Sequence, residues 1–305
     1  MVTTVTLSPC LDKTVKTSRL DLDGMNRVEG VSLDIGGKGI NVSRALSRLG
    51  IENRAVGFNF SGGEKIEETL LSEGIQCGFT QCSGSLRTNL KLMETELGRT
   101  VEINESNPAV SDENIQELKR VLSESARDSE ILVLAGSVPK GVGNGIYREL
   151  SEIARSENPD IRIVLDAQGE LLLNGLEARP FMIKPNIFEL ETAVGRKLSG
   201  ESEIISTARE IISKYGVQIV MVSMGGGGAV IVSANECHKL PAVKVEVRST
   251  QGAGDSMVAG AIAAITEGLS LENILKYAVT AAAGAISQDG TTFCTKQLFT
   301  ALLHS

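Results

Sequence analysis

The segment QGAGDS, residues 251–256, places two glycines and an acid between a strand-like alternating stretch and a run of small apolar residues. A helix that began here would present unpaired backbone N–H groups and the positive end of its dipole, which together bind anions. Gly252 and Gly254 leave the backbone open to a charged oxygen, and Asp255 would project from the first helical turn beside it. The same residues are also typical of a simple helix cap, so the segment alone leaves both interpretations open.

A second glycine-rich segment, LDIGGKGINVSRAL at residues 33–46, also precedes a helical pattern. Lys38 adds a positive charge to it, and Asn41 falls in the first predicted turn, where its amide can hydrogen-bond a hydroxyl or a carbonyl. A solvated turn is the alternative interpretation. Two such helix starts, more than 200 residues apart in one chain, together favour a site for a sugar or a phosphate.

The run GGGG at residues 225–228 lies between two strand-like stretches. A dinucleotide-binding fingerprint would need a glycine where Val230 stands and a helix directly afterwards. A phosphate loop of the G-x-x-x-x-G-K-S/T type is not matched either, because Gly39 follows Gly37 and Lys38. The pattern argues against a Rossmann dehydrogenase and predicts a strand, a glycine turn and a second strand.

The chain has 305 residues, 42% of them hydrophobic, and is long enough to bury a large core. Its formal net charge of −8 disfavours non-specific binding to nucleic acid or to an anionic membrane. The five cysteines form no C-x-x-C pair, which favours neither a zinc site nor disulfides and is typical of a cytoplasmic protein. Residues 1–10 do not resemble a signal peptide, and no segment has the apolar length of a membrane span.

Histidine is rare in this chain, with only His238 and His304. His304 lies at the end of the sequence, and His238 falls between two strand-like runs, where a solvated loop residue is the simplest interpretation. We therefore expect any general base to be a carboxylate.

Short apolar or alternating runs alternate with helix-period segments along most of the chain. This order predicts an α/β fold, a doubly wound and mostly parallel sheet with helices on both faces. Residues 13–35 and 77–106 break the alternation, and we predict that they form a small β-sheet that lies as a lid over the main one. The remaining residues, 1–12, 36–76 and 107–305, would form the main domain.

Four motifs, in this order, resemble those of the ribokinase, or PfkB, family of carbohydrate kinases: GGKGIN, NIFE at 186–189, SMGGGGA at 223–229 and GAGDS at 252–256. The resemblance covers nearly the whole chain and implies a ribokinase-like fold. TLSPCLD at 6–12, RTNLKL at 87–92, VEINESNP at 101–108 and GSVPKG at 136–141 are most similar to the 1-phosphofructokinases, in the branch that includes the tagatose-6-phosphate kinases. Ser8, Asn107 and Gln168 depart from this branch, which usually has Asn, Gly and Ser at those positions.

The resemblance implies that Asp255 takes the proton from the attacking hydroxyl, and its place at a helix start should keep it ionised. The backbone amides of Gly252, Ala253, Gly254 and Asp255 would hold the transferred phosphoryl group. Asn186 and Glu189 would act on Mg²⁺ mostly through water. The residues implied along the nucleotide are Lys184, Asn186, Ser223, Gly225, Gly227 and Gly228.

On the sugar side, the residues implied by the resemblance are Asp12, Gly36, Gly37, Asn41 and Ser137. A sugar phosphate also needs positive charge, for which the candidates are Arg27, Lys38, Arg87 and Lys91, with Asn89 between the last two. Arg87, Asn89 and Lys91 occupy alternate positions of one predicted strand and would share one face. Each charge taken alone is also typical of an exposed surface residue.

Taken together, the resemblance implies phosphorylation of fructose 1-phosphate to fructose 1,6-bisphosphate, with ATP and Mg²⁺. Tagatose 6-phosphate and fructose 6-phosphate are alternative substrates, and a non-catalytic sensor of sugar phosphate or nucleotide is an alternative from another class. The expected partner is a small sugar phosphate, with neither nucleic acid nor membrane, and a homodimer could form through the lid.

Overall fold

The computed structural model describes residues 1–304, and these form thirteen strands and ten helices. The strands are β1 (Val2–Thr6), β2 (Cys10–Thr17), β3 (Gly30–Gly36), β4 (Asn53–Ser61), β5 (Gln76–Ser85), β6 (Thr88–Glu94), β7 (Arg99–Asn104), β8 (Ile131–Ala135), β9 (Arg162–Asp166), β10 (Met182–Ile183), β11 (Ile219–Ser223), β12 (Ala229–Val232) and β13 (Cys237–Leu240). The helices are α1 (Lys38–Leu49), α2 (Glu64–Ser72), α3 (Asp112–Ala126), α4 (Ile146–Glu157), α5 (Gly169–Leu176), α6 (Ile187–Val194), α7 (Glu201–Tyr215), α8 (Ala253–Thr266), α9 (Leu271–Ile286) and α10 (Lys296–Leu303). No helix among these residues is both long enough and apolar enough to cross a bilayer.

Nine strands form the large sheet, in the order β13-β12-β11-β10-β9-β8-β1-β4-β5. Neighbours from β5 to β11 pair in parallel, and β12 and β13 add antiparallel pairs at one edge. The predicted doubly wound, mostly parallel sheet is therefore confirmed. The run GGGG connects β11 to β12, which confirms the predicted strand, glycine turn and strand.

Apolar side chains cover both faces of the large sheet, because the residues of each strand point alternately to either side. Helices α2 to α7 pack on one face, and α1, α8, α9 and α10 pack on the other. Helix α8 is buried along almost its whole length and consists largely of small residues. A side chain at Gly260 would lie 2.5 Å from the carbonyl oxygen of Tyr277, so glycine allows α9 to pack closely against α8.

The small sheet has the strand order β3-β2-β6-β7, with β2 and β6 parallel and the outer pairs antiparallel. Asp34, Asp12, Asn89 and Asn104 lie opposite one another across its four strands. Side chains at such aligned positions share one face of a sheet, which is polar here. We call this sheet the lid.

The predicted boundaries of the lid are wrong in two places. Residues 77–85 belong to β5, which pairs in parallel with β4 at the edge of the large sheet. Helix α2 connects these two strands, and a strand-helix-strand unit of this kind brings its second strand parallel to the first. Residues 10–12, placed in the main domain by the prediction, begin β2 of the lid.

Candidate active site

A cavity of about 270 Å³ lies at the carboxyl ends of β1, β8 and β9, between the large sheet and the polar face of the lid. Open parallel sheets bind ligands at this edge. Eight of the predicted site residues line the cavity, together with Thr6, Ser8, Cys10 and Gln168: Asp12, Gly37, Lys38, Asn41, Arg87, Asn89, Ser137 and Glu189. Both sheets contribute to the site.

Asp255 lies in the first turn of α8 and is only 7% exposed. The helix cap is Gly252, in the left-handed conformation with φ of +69°, and no side chain caps this helix start. The cap-only interpretation of Asp255 is therefore wrong. Its Oδ2 instead accepts a hydrogen bond of 2.8 Å from Nδ2 of Asn41, in the first turn of α1.

Burial, and after it the nearby carboxylate of Asp166, raise the pKa of Asp255 to about 6. The hydrogen bond from Asn41 and the charges of Lys38 and Lys184 oppose this shift. The helix start does not hold the pKa of Asp255 at its ordinary value, because burial outweighs it. A carboxylate with a pKa near 6 is ionised at neutral pH and is a stronger proton acceptor than an ordinary aspartate.

Asp166 ends β9 and is fully buried between two lysines. Its Oδ1 lies 3.2 Å from Nζ of Lys38 and 3.4 Å from Nζ of Lys184, whereas its Oδ2 has no hydrogen-bond partner among residues 1–304. Sequence analysis missed this residue as a site residue. An acid that directly follows an apolar strand, as in IRIVLD, is the signal that could have identified it.

Lys38 carries its positive charge into this acidic part of the site. Burial lowers the pKa of Lys38, but the carboxylates of Asp166, Glu189 and Asp255 together outweigh it, so the net shift is upward. The ammonium group therefore stays charged. Lys184 is 4% exposed, and a side chain added at Gly254 would lie 3.5 Å from its Nζ, so this second lysine reaches the start of α8.

Asn186 and Glu189 form a capping box at the start of α6. Oδ1 of Asn186 accepts from N of Glu189 at 2.8 Å, and Oε2 of Glu189 accepts from N of Asn186 at 2.9 Å. The other oxygen of Glu189, Oε1, lies 3.9 Å from Nζ of Lys38, and Glu189 lines the cavity. Asn186 and Glu189 thus stabilise the start of α6, and Glu189 also belongs to the site.

The predicted nucleotide residues of the glycine hairpin lie next to this helix start. Ser223 forms a parallel bridge with Asn186, and its N donates to the carbonyl oxygen of Pro185 at 3.1 Å. Gly228 has φ of +87°, and a side chain there would lie 2.0 Å from the carbonyl oxygen of Leu240. Gly225 and Gly227 form the exposed tip of the hairpin and do not line the cavity.

The predicted positive residues occupy different environments. Arg87 donates to the carbonyl oxygens of Ser8, Pro9 and Glu105, at 3.1, 3.2 and 3.2 Å. Lys91 is 9% exposed, and its ammonium has no ion pair within residues 1–304. Arg27 is exposed and does not line the cavity. The structure therefore brings Lys38 and Arg87 to the cavity wall, whereas Lys91 and Arg27 do not line the cavity.

Cys10 and Gly36 lie side by side where β2 meets β3. A side chain at Gly36 would lie 2.7 Å from Sγ of Cys10, so Gly36 contacts the cavity wall without lining the cavity. Burial and the carboxylate of Asp12 raise the pKa of Cys10 to about 12, whereas the charges of Arg87 and Lys91 act against this shift. The positive charges of Arg87 and Lys91 are thus both felt at Cys10, at the start of β2.

Nδ2 of Asn89 donates to Oδ1 of Asp12 at 2.9 Å and to Sγ of Cys10 at 3.2 Å. Sγ of Cys10 lies 3.6 Å from the same oxygen of Asp12 and donates to it. Oδ1 of Asn89 and Oδ1 of Asn41 have no hydrogen-bond partner within residues 1–304. The cavity therefore presents acceptor oxygens that match the hydroxyl groups of a sugar.

Comparison with known proteins gives matches over almost the whole chain. The profile of the family described as "pfkB family carbohydrate kinase" matches residues 5–298. A 1-phosphofructokinase of Bacillus subtilis is 35% identical over 98% of this chain and 97% of its own length. A tagatose-6-phosphate kinase of Staphylococcus epidermidis is 30% identical over 91% of this chain and 89% of its own. The crystal structure of phosphofructokinase-2 from Escherichia coli with substrates and products has a TM-score of 0.93, at 28% identity over 99% of this chain and 98% of that one.

Proposed function

The chain belongs to the pfkB family of carbohydrate kinases, and we propose that it phosphorylates fructose 1-phosphate to fructose 1,6-bisphosphate with ATP. The family match confirms the resemblance carried by the four ordered motifs, and the chain is a sugar-phosphate kinase. The observation that carries the proposed reaction is the contact between Asn41 and Asp255, because it places the proposed base beside a cavity lined with sugar-binding groups.

Asp255 takes the proton from the hydroxyl on carbon 6 of the sugar as that oxygen attacks the γ-phosphorus of ATP, and ADP leaves. The backbone amides of Gly252, Ala253, Gly254 and Asp255 stabilise the charge on the transferred group. Lys184 lies beside Gly254 and adds a positive charge at the same place. The nucleotide extends from there towards Asn186, Ser223 and the glycine hairpin, where Gly225, Gly227 and Gly228 leave its path open.

The sugar binds between the lid and the start of α1. The amide oxygens of Asn41 and Asn89 have no hydrogen-bond partner among residues 1–304, and Asp12 lies beside Asn89, so three side chains can accept hydrogen bonds from sugar hydroxyls. Gly36 and Gly37 have no side chains, so their backbone can lie close to the sugar. Ser137 also lines the cavity. Acceptors of this kind suit a polyol better than a flat apolar ligand.

The phosphate of the substrate binds the positive groups of the lid. Lys91 is the principal candidate, since it is buried on the polar face and has no ion pair among the described residues. The Arg87 guanidinium donates to three backbone carbonyls, which fix its orientation at the cavity wall. Lys38 lines the cavity and also forms an ion pair with Asp166, so its charge can act on both the sugar phosphate and the nucleotide.

The acidic residues of the site fit Mg²⁺. Oδ2 of Asp166 is a buried carboxylate oxygen without a hydrogen-bond partner in residues 1–304, and Oε1 of Glu189 faces the same lysine. Mg²⁺ usually keeps several waters and takes further ligands from substrate phosphates, so Asp166, Glu189 and Asn186 would hold it mostly through water. When bound, the ion neutralises charge on the phosphates of ATP.

A substrate panel tests this proposal. The purified protein is assayed with ATP and Mg²⁺ on fructose 1-phosphate, fructose 6-phosphate and tagatose 6-phosphate, and we expect kcat/KM to be at least about tenfold higher for the first. A preference for tagatose 6-phosphate would favour the alternative that the Staphylococcus relative supports. Tight binding without turnover of any sugar phosphate would favour the non-catalytic sensor.

We also propose that two copies of the chain pair through the outer face of the lid. Val31, Leu33, Val101 and Ile103 lie on the face opposite Asp12 and are 55, 40, 47 and 53% exposed. Apolar side chains in such a cluster are typical of a protein interface. Analytical ultracentrifugation tests this pairing. The parent should sediment as a dimer and Ile103→Lys as a monomer.

A further inference from the structure

The chain passes between the large sheet and the lid four times within residues 1–304. These crossings are residues 7–9 between β1 and β2, residue 37 between β3 and α1, residues 86–87 between β5 and β6, and residues 105–111 between β7 and α3. The position of the lid relative to the large sheet depends on how these crossings are held together.

The side chain of Asn107 connects three of the four crossings. It lies in the last of them, is 4% exposed, and donates from Nδ2 to Oγ of Ser8 at 3.1 Å and to the carbonyl oxygen of Pro9 at 2.9 Å. Its Oδ1 accepts from the backbone N of Arg87 at 3.3 Å. Both of its N–H groups and its oxygen are thus used, each for a crossing other than its own.

Arg87 reinforces the same connections from the third crossing. Its guanidinium donates to the first crossing through the carbonyl oxygens of Ser8 and Pro9, and to the last through that of Glu105. Buried carbonyl groups need hydrogen-bond partners, and a proline at position 9 supplies no N–H group of its own to this turn. Asn107 and Arg87 together satisfy these carbonyls.

We propose that Asn107 is a positioning residue that locks the lid onto the large sheet. It does not line the cavity, but it bonds to Ser8 and Arg87, which do. Because Asp12 and Asn89 lie on the lid whereas Asn41 and Asp255 lie on the large domain, the lock sets the distance between the two halves of the site. The kinetic consequence rests on the proposed function, whereas the structural one does not.

Hydrogen–deuterium exchange tests the lock without any substrate. In Asn107→Ala, amides of β2 and β6 should exchange at least tenfold faster than in the parent, and amides of β8 and β9 should change less than twofold. Asn53→Ala is the matched control, since Asn53 is 2% exposed and its Nδ2 also donates to two backbone carbonyls, those of Ser43 and Ile51. The control should not accelerate exchange in the lid.

Equal acceleration in both sheets, or none in the lid, would overturn the proposal. If Asn107→Ala does not fold, Asn107→Asp carries the test, because it keeps the size of the side chain and the acceptor for Arg87 while it removes both donors. In Asn107→Asp, too, the amides of β2 and β6 should exchange at least tenfold faster than in the parent.

A kinetic measurement adds a readout that a purely structural role would not change. In Asn107→Ala, the KM for fructose 1-phosphate should rise at least fivefold and the KM for ATP less than twofold, whereas Asn53→Ala should change neither. An equal rise in both KM values would contradict a role on the sugar side. If the parent turns over no sugar phosphate, the proposed function fails, and the exchange experiment still decides whether Asn107 locks the lid.

Discussion

Nδ2 of Asn41 donates a hydrogen bond of 2.8 Å to Oδ2 of Asp255, and this contact joins the starts of α1 and α8, which pack on the same face of the large sheet. Asn41 is 8% exposed and Asp255 is 7% exposed, so water competes little for the bond. Oδ1 of Asn41 is buried and has no hydrogen-bond partner within residues 1–304, so a sugar hydroxyl would satisfy it. One amide can therefore contact the substrate and orient the base at the same time.

Asp255→Asn is expected to lower kcat by roughly 10² to 10⁴, the usual contribution of a positioned proton acceptor, while the protein still folds and binds ATP. Asn has nearly the same shape as Asp but accepts no proton. Steady-state kinetics and calorimetric ATP binding measure the two effects. Asp112→Asn is the control, because Asp112 also lies in a first helical turn but is exposed, and its loss should leave kcat unchanged. Near-normal turnover in Asp255→Asn would reject Asp255 as the base.

The raised pKa of Asp255, about 6, predicts that this residue destabilises the folded protein as pH rises. An unfolded aspartate has a pKa near 3.9, so below about pH 4 both states are protonated and no penalty exists, while above about pH 6 the penalty is complete. Asp255→Asn should therefore gain stability relative to the parent by about 2 kcal/mol between pH 4.5 and pH 8. Urea denaturation at both pH values measures this difference, and a difference that does not change with pH would contradict the prediction.

Asn41→Ala should move the acidic limb of the pH profile of kcat/KM to higher pH. The hydrogen bond from Asn41 lowers the pKa of Asp255, so its removal should raise that pKa, and the base would lose its activity at a higher pH than in the parent. The substrate phosphate also titrates near pH 6, but it contributes equally to both proteins. An unchanged midpoint in Asn41→Ala would show that Asn41 does not act on the base.

The sequence correctly predicted that Asn41 and Asp255 lie in the first turns of two helices, because each follows a glycine-rich motif that precedes a helical pattern. It was not sufficient for Asp166, whose role depends on Lys38 and Lys184 from distant elements. The start of the lid was misplaced because the alternating residues of β5 resemble those of β6, and only the pairing with β4 distinguishes them.

The same limit applies to the positive residues of the lid. The alternation of Arg87, Asn89 and Lys91 predicted one polar face of a strand, and Asn89 and Lys91 share such a face of β6, whereas Arg87 lies in the crossing just before it. Nothing in that alternation indicated that the Arg87 guanidinium is bonded to three backbone carbonyls, because Ser8, Pro9 and Glu105 come from other crossings. Hydrogen bonds between residues far apart in sequence are set by tertiary packing, which a local pattern does not contain.

Lys91→Ala should raise the KM for the sugar phosphate by about 10- to 150-fold, which corresponds to roughly 1.5 to 3 kcal/mol for a lost charge-assisted hydrogen bond. The KM for ATP and the melting temperature should change little, since Lys91 has no ion pair among residues 1–304. Lys13→Ala is the matched control. Lys13 is an exposed lysine that directly follows Asp12 on β2, so its side chain points to the opposite face of the lid. Equal KM values in the parent and in Lys91→Ala would exclude Lys91 from the phosphate site.

Ser8 and Asn107 are two of the three departures from the branch that this sequence resembles, and the structure places them in direct contact, Nδ2 to Oγ at 3.1 Å. The resemblance implies an amide at position 8 and glycine at position 107 in that branch, so this chain carries an amide at the other of the two contacting positions. Each single reversion should destabilise the protein by about 1 to 3 kcal/mol. Ser8→Asn crowds the amide already present, and Asn107→Gly leaves the carbonyl of Pro9 with one donor fewer.

The double variant Ser8→Asn with Asn107→Gly should recover most of this loss, because an amide at position 8 again occupies the space between the crossings. A double-mutant cycle on the free energy of unfolding should give a coupling of about 1 kcal/mol or more, since coupling of this size is typical of residues in contact. Gln168, the third departure, provides the comparison: no bond joins it to Asn107 among the described residues, so Gln168→Ser and Asn107→Gly should be additive within about 0.5 kcal/mol. A coupling between positions 8 and 107 no larger than that between 168 and 107 would show that the residues at positions 8 and 107 do not compensate for each other.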